Sequence, residues 1–173
     1  MLTAKGSQEN KVKGLKYGIN DYLGKPFNFD ELHLKVANIL KYQESLKEYH
    51  YNALKGEPDH PDMEKNPLLD KIYQIIENHI SNSQLSVEWL ANELAVSSRT
   101  LNRKLKSIIG LSTNEVIRNY RLKQSKKLLL SGQNVSQVAY RIGFDSPSYF
   151  GQCFKDLYAQ SPKDFALKHG IVI

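Results

Sequence analysis

The residues with the clearest chemical potential lie in the stretch SRTLNRKLK, Ser98 to Lys106, where Arg99, Arg103 and Lys106 recur at i, i+4 and i+7 with Asn102 between them. Arg can pair with both guanine acceptors in the major groove, and Asn with the adenine edge. On the opposite side of the same periodic pattern Leu101, Leu105 and Ile108 recur at the same interval and would face a core. The preceding stretch, SVEWLANELAVSS, has an apolar stripe of Trp89, Leu90 and Leu94. It also has a small Ala91 where a second helix must come close, and Val96-Ser97-Ser98 as a short turn with a hydroxyl for capping. This is the outline of a helix-turn-helix. Taken alone, it fits an ordinary surface helix with a solvated basic face about as well.

Repetition decides between the two. In VSQVAYRIGFDSPSYFGQCFK, Val135 to Lys155, Val135 matches Val87, Ala139 matches Ala91 and Ile142 matches Leu94. One extra turn residue then sets Phe150 and Phe154 against Leu101 and Leu105, and Ser161-Pro162 and Asp164-Phe165 fall on Ser112-Thr113 and Glu115-Val116. A motif repeated with matching core positions predicts a tandem helix-turn-helix. In the second copy Phe150, Phe154 and Leu157 would line the core, leaving Ser148, Gln152 and Lys155 outward. Between the copies, Ser112 or Thr113 can cap a helix with Glu115 in its first turn. That helix runs to about Leu130, before Gly132 stops it. About eighteen residues make a connector of roughly 27 Å, comparable with the roughly 34 Å between successive major-groove faces.

These runs, LAxxLxVSxRTLxRxLK at Leu90–Lys106, YRLxxxxxLL at Tyr120–Leu129, VAxxIGFxSxSYFxxxFK at Val138–Lys155 and Ser161-Pro162, resemble the AraC/XylS family of bacterial transcription regulators over roughly 66–170. The resemblance implies sequence-specific binding of double-stranded DNA, with two recognition helices in adjacent major-groove segments and RNA polymerase as a further candidate partner. Base readout falls to Arg99, Asn102 and Arg103 in the first repeat and to Ser148 and Gln152 in the second. Phosphate contacts fall to Ser98, Thr100, Lys106, Arg118, Arg121, Ser146 and Lys155. The chain departs from the family pattern at Gln152, where a basic residue is frequent, and at Ala159, where glycine usually ends the recognition helix. It departs also at Ser125 and at Phe165-Ala166. With no charge on Ser148 or Gln152, the first repeat is expected to dominate affinity.

Charge follows this division. From Gln84 onward there are thirteen Lys and Arg against six Asp and Glu, so the net excess of +6 over all 173 residues belongs to the tandem repeat, the electrostatic footprint of a module that neutralises phosphate. Before it, the run GINDYLGKPF, Gly18 to Phe27, resembles the last strand and loop of a two-component receiver domain, with Leu2-Thr3-Ala4 at the end of the preceding strand. Under that resemblance Thr3 is similar to the hydroxyl that contacts the acyl phosphate, Tyr22 to the aromatic switch and Lys25 to the phosphate-binding lysine. The acidic pocket and phosphoacceptor aspartate of a receiver lie on earlier strands. This chain alone is therefore expected to bind DNA constitutively and to belong to a longer response regulator or hybrid sensor.

The expected fold is mainly all-α: a tandem helix-turn-helix domain of about seven helices over 67–173, after a truncated α/β receiver fragment over 1–40 and a helical connector with a Pro-rich linker over 41–66. Leu32, Val36, Ile39 and Leu46 approximate a heptad seam interrupted by Gln43, which fits a homodimer through a short coiled coil or a single packed helix equally well. The lone Cys153 excludes a disulfide framework and reads as a buried thiol, which fits a reducing cytoplasm. His33, His50, His60, His79 and His169 form no zinc spacing, and no phosphate-binding glycine fingerprint or membrane-length apolar run occurs. No cofactor, metal, membrane contact or enzymatic activity is expected. A nonspecific nucleic-acid or architectural protein and a protein-binding signalling module are the other readings; they differ in how strongly a chosen sequence outcompetes random DNA at fixed salt.

Overall fold

The computed structural model describes residues 28–56 and 66–173, with the backbone of 2–3 and 23–24. Tyr22, Lys25, the Lys25-Pro26 bond and most of the 56–67 linker lie outside the described residues, as does the side chain of Thr3. The chain divides into two compact units, 1–46 and 47–173. In the first, β1 (Leu2–Thr3) pairs in parallel with β2 (Leu23–Gly24), Leu2 opposite Leu23 and Thr3 opposite Gly24. The first part of α1 (Phe29–Lys55) belongs to the same unit.

Among the described residues the second unit takes the end of α1 and seven further helices: α2 (Pro67–Asn78), α3 (Val87–Glu93), α4 (Ser98–Ile109), α5 (Thr113–Leu130), α6 (Val135–Arg141), α7 (Pro147–Tyr158) and α8 (Pro162–Lys168). Each of the seven starts where a short polar side chain can accept from the free N–H groups of the first turn. The N-caps are Asn66, Ser86, Ser97, Ser112, Asn134, Ser146 and Ser161. At α5 the cap is reciprocal: Ser112 accepts from the Glu115 amide, and the Glu115 carboxylate accepts from the Ser112 amide at 2.7 Å. Hydrogen bonds from the Ser112 hydroxyl and then its amide hold the Glu115 carboxyl below its ordinary value.

The apolar stripes bury into two separate cores. The first gathers Leu54, Leu69, Ile72, Ile76, Leu90, Leu101, Leu105 and Val116; the second gathers Leu122, Leu129, Val138, Ile142, Phe150, Phe154 and Phe165. The division falls inside α5, whose Val116 and Ile117 enter the first core and whose Leu122 and Leu129 enter the second. The repeat predicted from sequence is therefore a repeat of lobes: Leu101 and Leu105 in one, Phe150 and Phe154 in the other, each at most 1% exposed. Cys153 is buried, as its position implied. The expected domain edge at residue 67 omits part of the first lobe. Leu54, near the end of α1, is 1% exposed within that core, and the compact unit already begins at Lys47.

Candidate nucleic-acid interface

In each lobe, a short helix, a tight turn and a longer helix present one polar face. The turns superpose in their hydrogen bonding: Val96 donates to Ala91 O and Phe144 to Ala139 O, both at 3.0 Å. The residue before each donor, Ala95 or Gly143, has a left-handed backbone, φ 52° and 81°. On α4, Leu101, Leu105 and Ile109 turn inward, which leaves Arg99, Arg103, Lys104 and Lys106 exposed. On α7, Phe150, Cys153 and Phe154 turn inward and Ser148, Tyr149, Gln152 and Lys155 are exposed.

Two expected contacts have other positions. Asn102 points its side-chain oxygen at the start of α5, where it accepts from the Thr113 amide at 2.9 Å and the Thr113 hydroxyl at 2.8 Å. The oxygen expected to meet adenine thus locks α4 to α5, and Asn102 is corrected from a base reader to a positioning residue. Arg121 is 8% exposed. It donates from Nη1 to Gly143 O at 3.0 Å and from Nη2 to Asn82 O at 2.6 Å, so it is corrected from a phosphate ligand to an internal tie. A helical wheel places both on a polar face but cannot show that another segment covers that face.

Of the other expected phosphate contacts, Lys106 and Lys155 are exposed, while Ser98, Arg118 and Ser146 are half-buried. Ser146 caps α7 by accepting from the Tyr149 amide, and Thr100 receives the Ser97 hydroxyl at 2.9 Å. Gln152 donates to Asp156 at 2.7 Å, which places an acceptor carboxylate next to the second lobe's central polar residue. Sequence reading passed over Tyr149 and Lys104. Tyr149 is 56% exposed at the start of α7, with its ring 5.8 Å from that of Phe144. In the SYF run Phe150 has a core position and Ser148 an outward one, and Tyr149 beside Ser148 shares the exposed face.

A helix-turn-helix domain family matches residues 90–168. The C-terminal domain of AraT, a response regulator from Geobacillus stearothermophilus, superposes with a TM-score of 0.54 at 30% identity, over 62% of this chain and 88% of that one. This chain contains an AraC-type helix-turn-helix DNA-binding domain. The DNA-binding domain of AdpA, solved with a target DNA, is similar at a TM-score of 0.54 and 27% identity, over 61% of this chain and 94% of that one. Along almost the whole chain, 168 residues and 95% of its length, it is 35% identical to histidine kinase P4 of Formosa agariphila, of which it spans 12%. The chain spans less than half the length of the curated relatives it matches. Among the described residues no helix is long and apolar enough to cross a membrane, and no group of His, Cys, Asp and Glu could hold a metal ion.

Proposed function

We propose that this chain is the output segment of a two-component signalling protein and regulates transcription by binding a specific duplex DNA sequence with α4 and α7 in neighbouring major-groove segments. The observation that carries the reading is the repeated polar face. Two lobes of the same construction, with separate cores, are held on one 18-residue helix, and each presents the exposed side of its longer helix. Arg99 and Arg103 read bases from α4, and Ser148 and Gln152 read them from α7. Ser98, Thr100, Lys106, Arg118, Ser146 and Lys155 contact phosphates. The net positive charge of the tandem repeat supports this placement, since phosphate neutralisation supplies most sequence-independent affinity. The DNA-bound AdpA domain, of similar fold, supports duplex DNA as the ligand.

The two-component assignment rests on the response-regulator origin of AraT, the histidine kinase relative and the parallel pairing of β1 with β2, the direction of neighbouring strands in a receiver sheet. In this reading Thr3, Tyr22 and Lys25 belong to a receiver's switch apparatus. Selecting bound sequences from a random duplex pool at fixed salt tests the function. A long, asymmetric consensus covering two groove segments is expected; recovery of no consensus returns the reading to a nonspecific or architectural binder.

A further inference from the structure

Arg121 lies at the joint between the two lobes. In the sequence of α5 it sits between Ile117, which belongs to the first core, and Leu122, which belongs to the second. Its two bonded carbonyls belong to different lobes as well. Asn82 is in the segment that leads from α2 into α3, and Gly143 is in the turn that leads from α6 into α7. The approach is close. A Cβ on Gly143 would lie 2.5 Å from Ile80 O and 2.8 Å from Nη2 of Arg121, so the turn of the second lobe meets both the end of the first lobe's lead-in and the guanidinium. Among the described residues Arg121 Nε has no hydrogen-bond partner and no carboxylate is paired with the group. Burial lowers the guanidinium's pKa, with the nearby Asp145 opposing the shift. A buried cation without an ion pair is a weak source of stability, and its function is better sought in the arrangement it enforces.

We infer that Arg121 is a positioning residue that fixes the separation and orientation of α4 and α7, and so determines which spacing of the two half-sites the protein accepts. The inference rests on the two-segment reading above. Both recognition helices are tied to α5, α4 directly through its own Asn102 on Thr113 and α7 through the preceding turn, where Gly143 O accepts from Arg121. With the lobes locked, engagement of one groove segment presents the second helix at a high effective concentration, but only for matching geometry. One inserted base pair moves the second segment by about 3.4 Å and turns it by about 35°, more than a locked joint absorbs. Without the guanidinium the two cores remain, joined by α5 and the apolar contacts of Ile80, and the lobes can swing.

The test compares the full chain with Arg121→Met and Arg121→Lys on four DNAs: the selected site, the same site with one base pair inserted between the segments, a site with the second segment scrambled, and random duplex. The wild type is expected to prefer the selected spacing by about tenfold or more, and Arg121→Met by about threefold or less, with affinity for the scrambled-segment site unchanged. Arg121→Lys should fall between them, because one ammonium replaces a fork that spans two carbonyls. Nitroxide labels on Ser107→Cys in α4 and Ser136→Cys in α6, with Cys153→Ser, read the joint without DNA. A single narrow distance distribution should broaden in the Arg121→Met protein. Equal loss on all four DNAs, full retention of spacing preference or an unchanged distance distribution would each overturn the inference. A wild type indifferent to spacing that still shows a broadened distribution on substitution overturns the two-segment reading instead and leaves Arg121 as a lobe tie without a DNA role.

Discussion

Two alanines in the domain hold a backbone that glycine adopts more readily. Ala95, in the turn of the first lobe, has φ 52°, and Ala159, the C-cap of α7, has φ 56°. The corresponding positions in the other lobe are Gly143 and Gly110. An L side chain in the left-handed region costs about 1–2 kcal/mol, while glycine returns part of that through its freer unfolded chain. Ala95→Gly and Ala159→Gly are each expected to raise stability by about 0.5–1 kcal/mol, read as a higher urea midpoint with unchanged slope. Both alanines are exposed, so no packing is lost. At Gly143 the reverse substitution meets Ile80 O and the Arg121 fork and should destabilise. The second lobe's turn therefore needs glycine, and the first lobe's turn does not.

The two recognition helices differ in what they can offer DNA. On α4 Arg99 and Arg103 are exposed, whereas on α7 Gln152 is held by Asp156. Arg103→Ala should cost about 1–3 kcal/mol on the selected site and less on random duplex, as a base contact does. Gln152→Ala should cost less than Arg103→Ala on the same site; titrations of both proteins check the order, and a larger effect of Gln152 would reverse the ranking of the lobes. The elements themselves were legible: the repeat placed both turns, the capping hydroxyls placed the starts of α4 and α5, and α5 runs from Thr113 to Leu130 as its capping box and terminal glycine implied. Periodicity reports which side of its own helix a residue occupies. It does not report what covers that side, so it cannot show that Asn102 binds a helix start eleven positions on, or that Arg121 binds 22 and 39 positions away.

The second unit as a whole is larger than its repeat. Residues 47–56 contribute Leu54 to the first core, and the end of α1 is held by α5, with the Lys123 ammonium donating to Ala53 O at 2.9 Å and Lys126 to Lys55 O at 3.5 Å. Cations at helix C-terminal carbonyls complement the helix dipole. The C-terminal part of α1 buries His50 as well, 8% exposed, in a cleft of about 300 Å³ whose walls include Leu69, Asp70 and Tyr73. Burial lowers the His50 pKa below its ordinary value, and Asp70 opposes the shift. With the folded pKa below the unfolded one, the unfolded chain binds the proton first as pH falls. Stability should therefore be flat above about pH 6.5 and decline below it until the folded pKa is passed. His50→Phe should remove that component of the decline while keeping the ring's packing. A chain beginning at residue 66 should lose it too and be less stable at pH 7 by about 2–5 kcal/mol, the cost of deleting a buried Leu side chain from a core. Urea titrations at a series of pH values on the 47–173, His50→Phe and 66–173 proteins check all three. If the acid-side slope is the same with and without His50, the group lies in a solvated site and the end of α1 does not seal the first lobe.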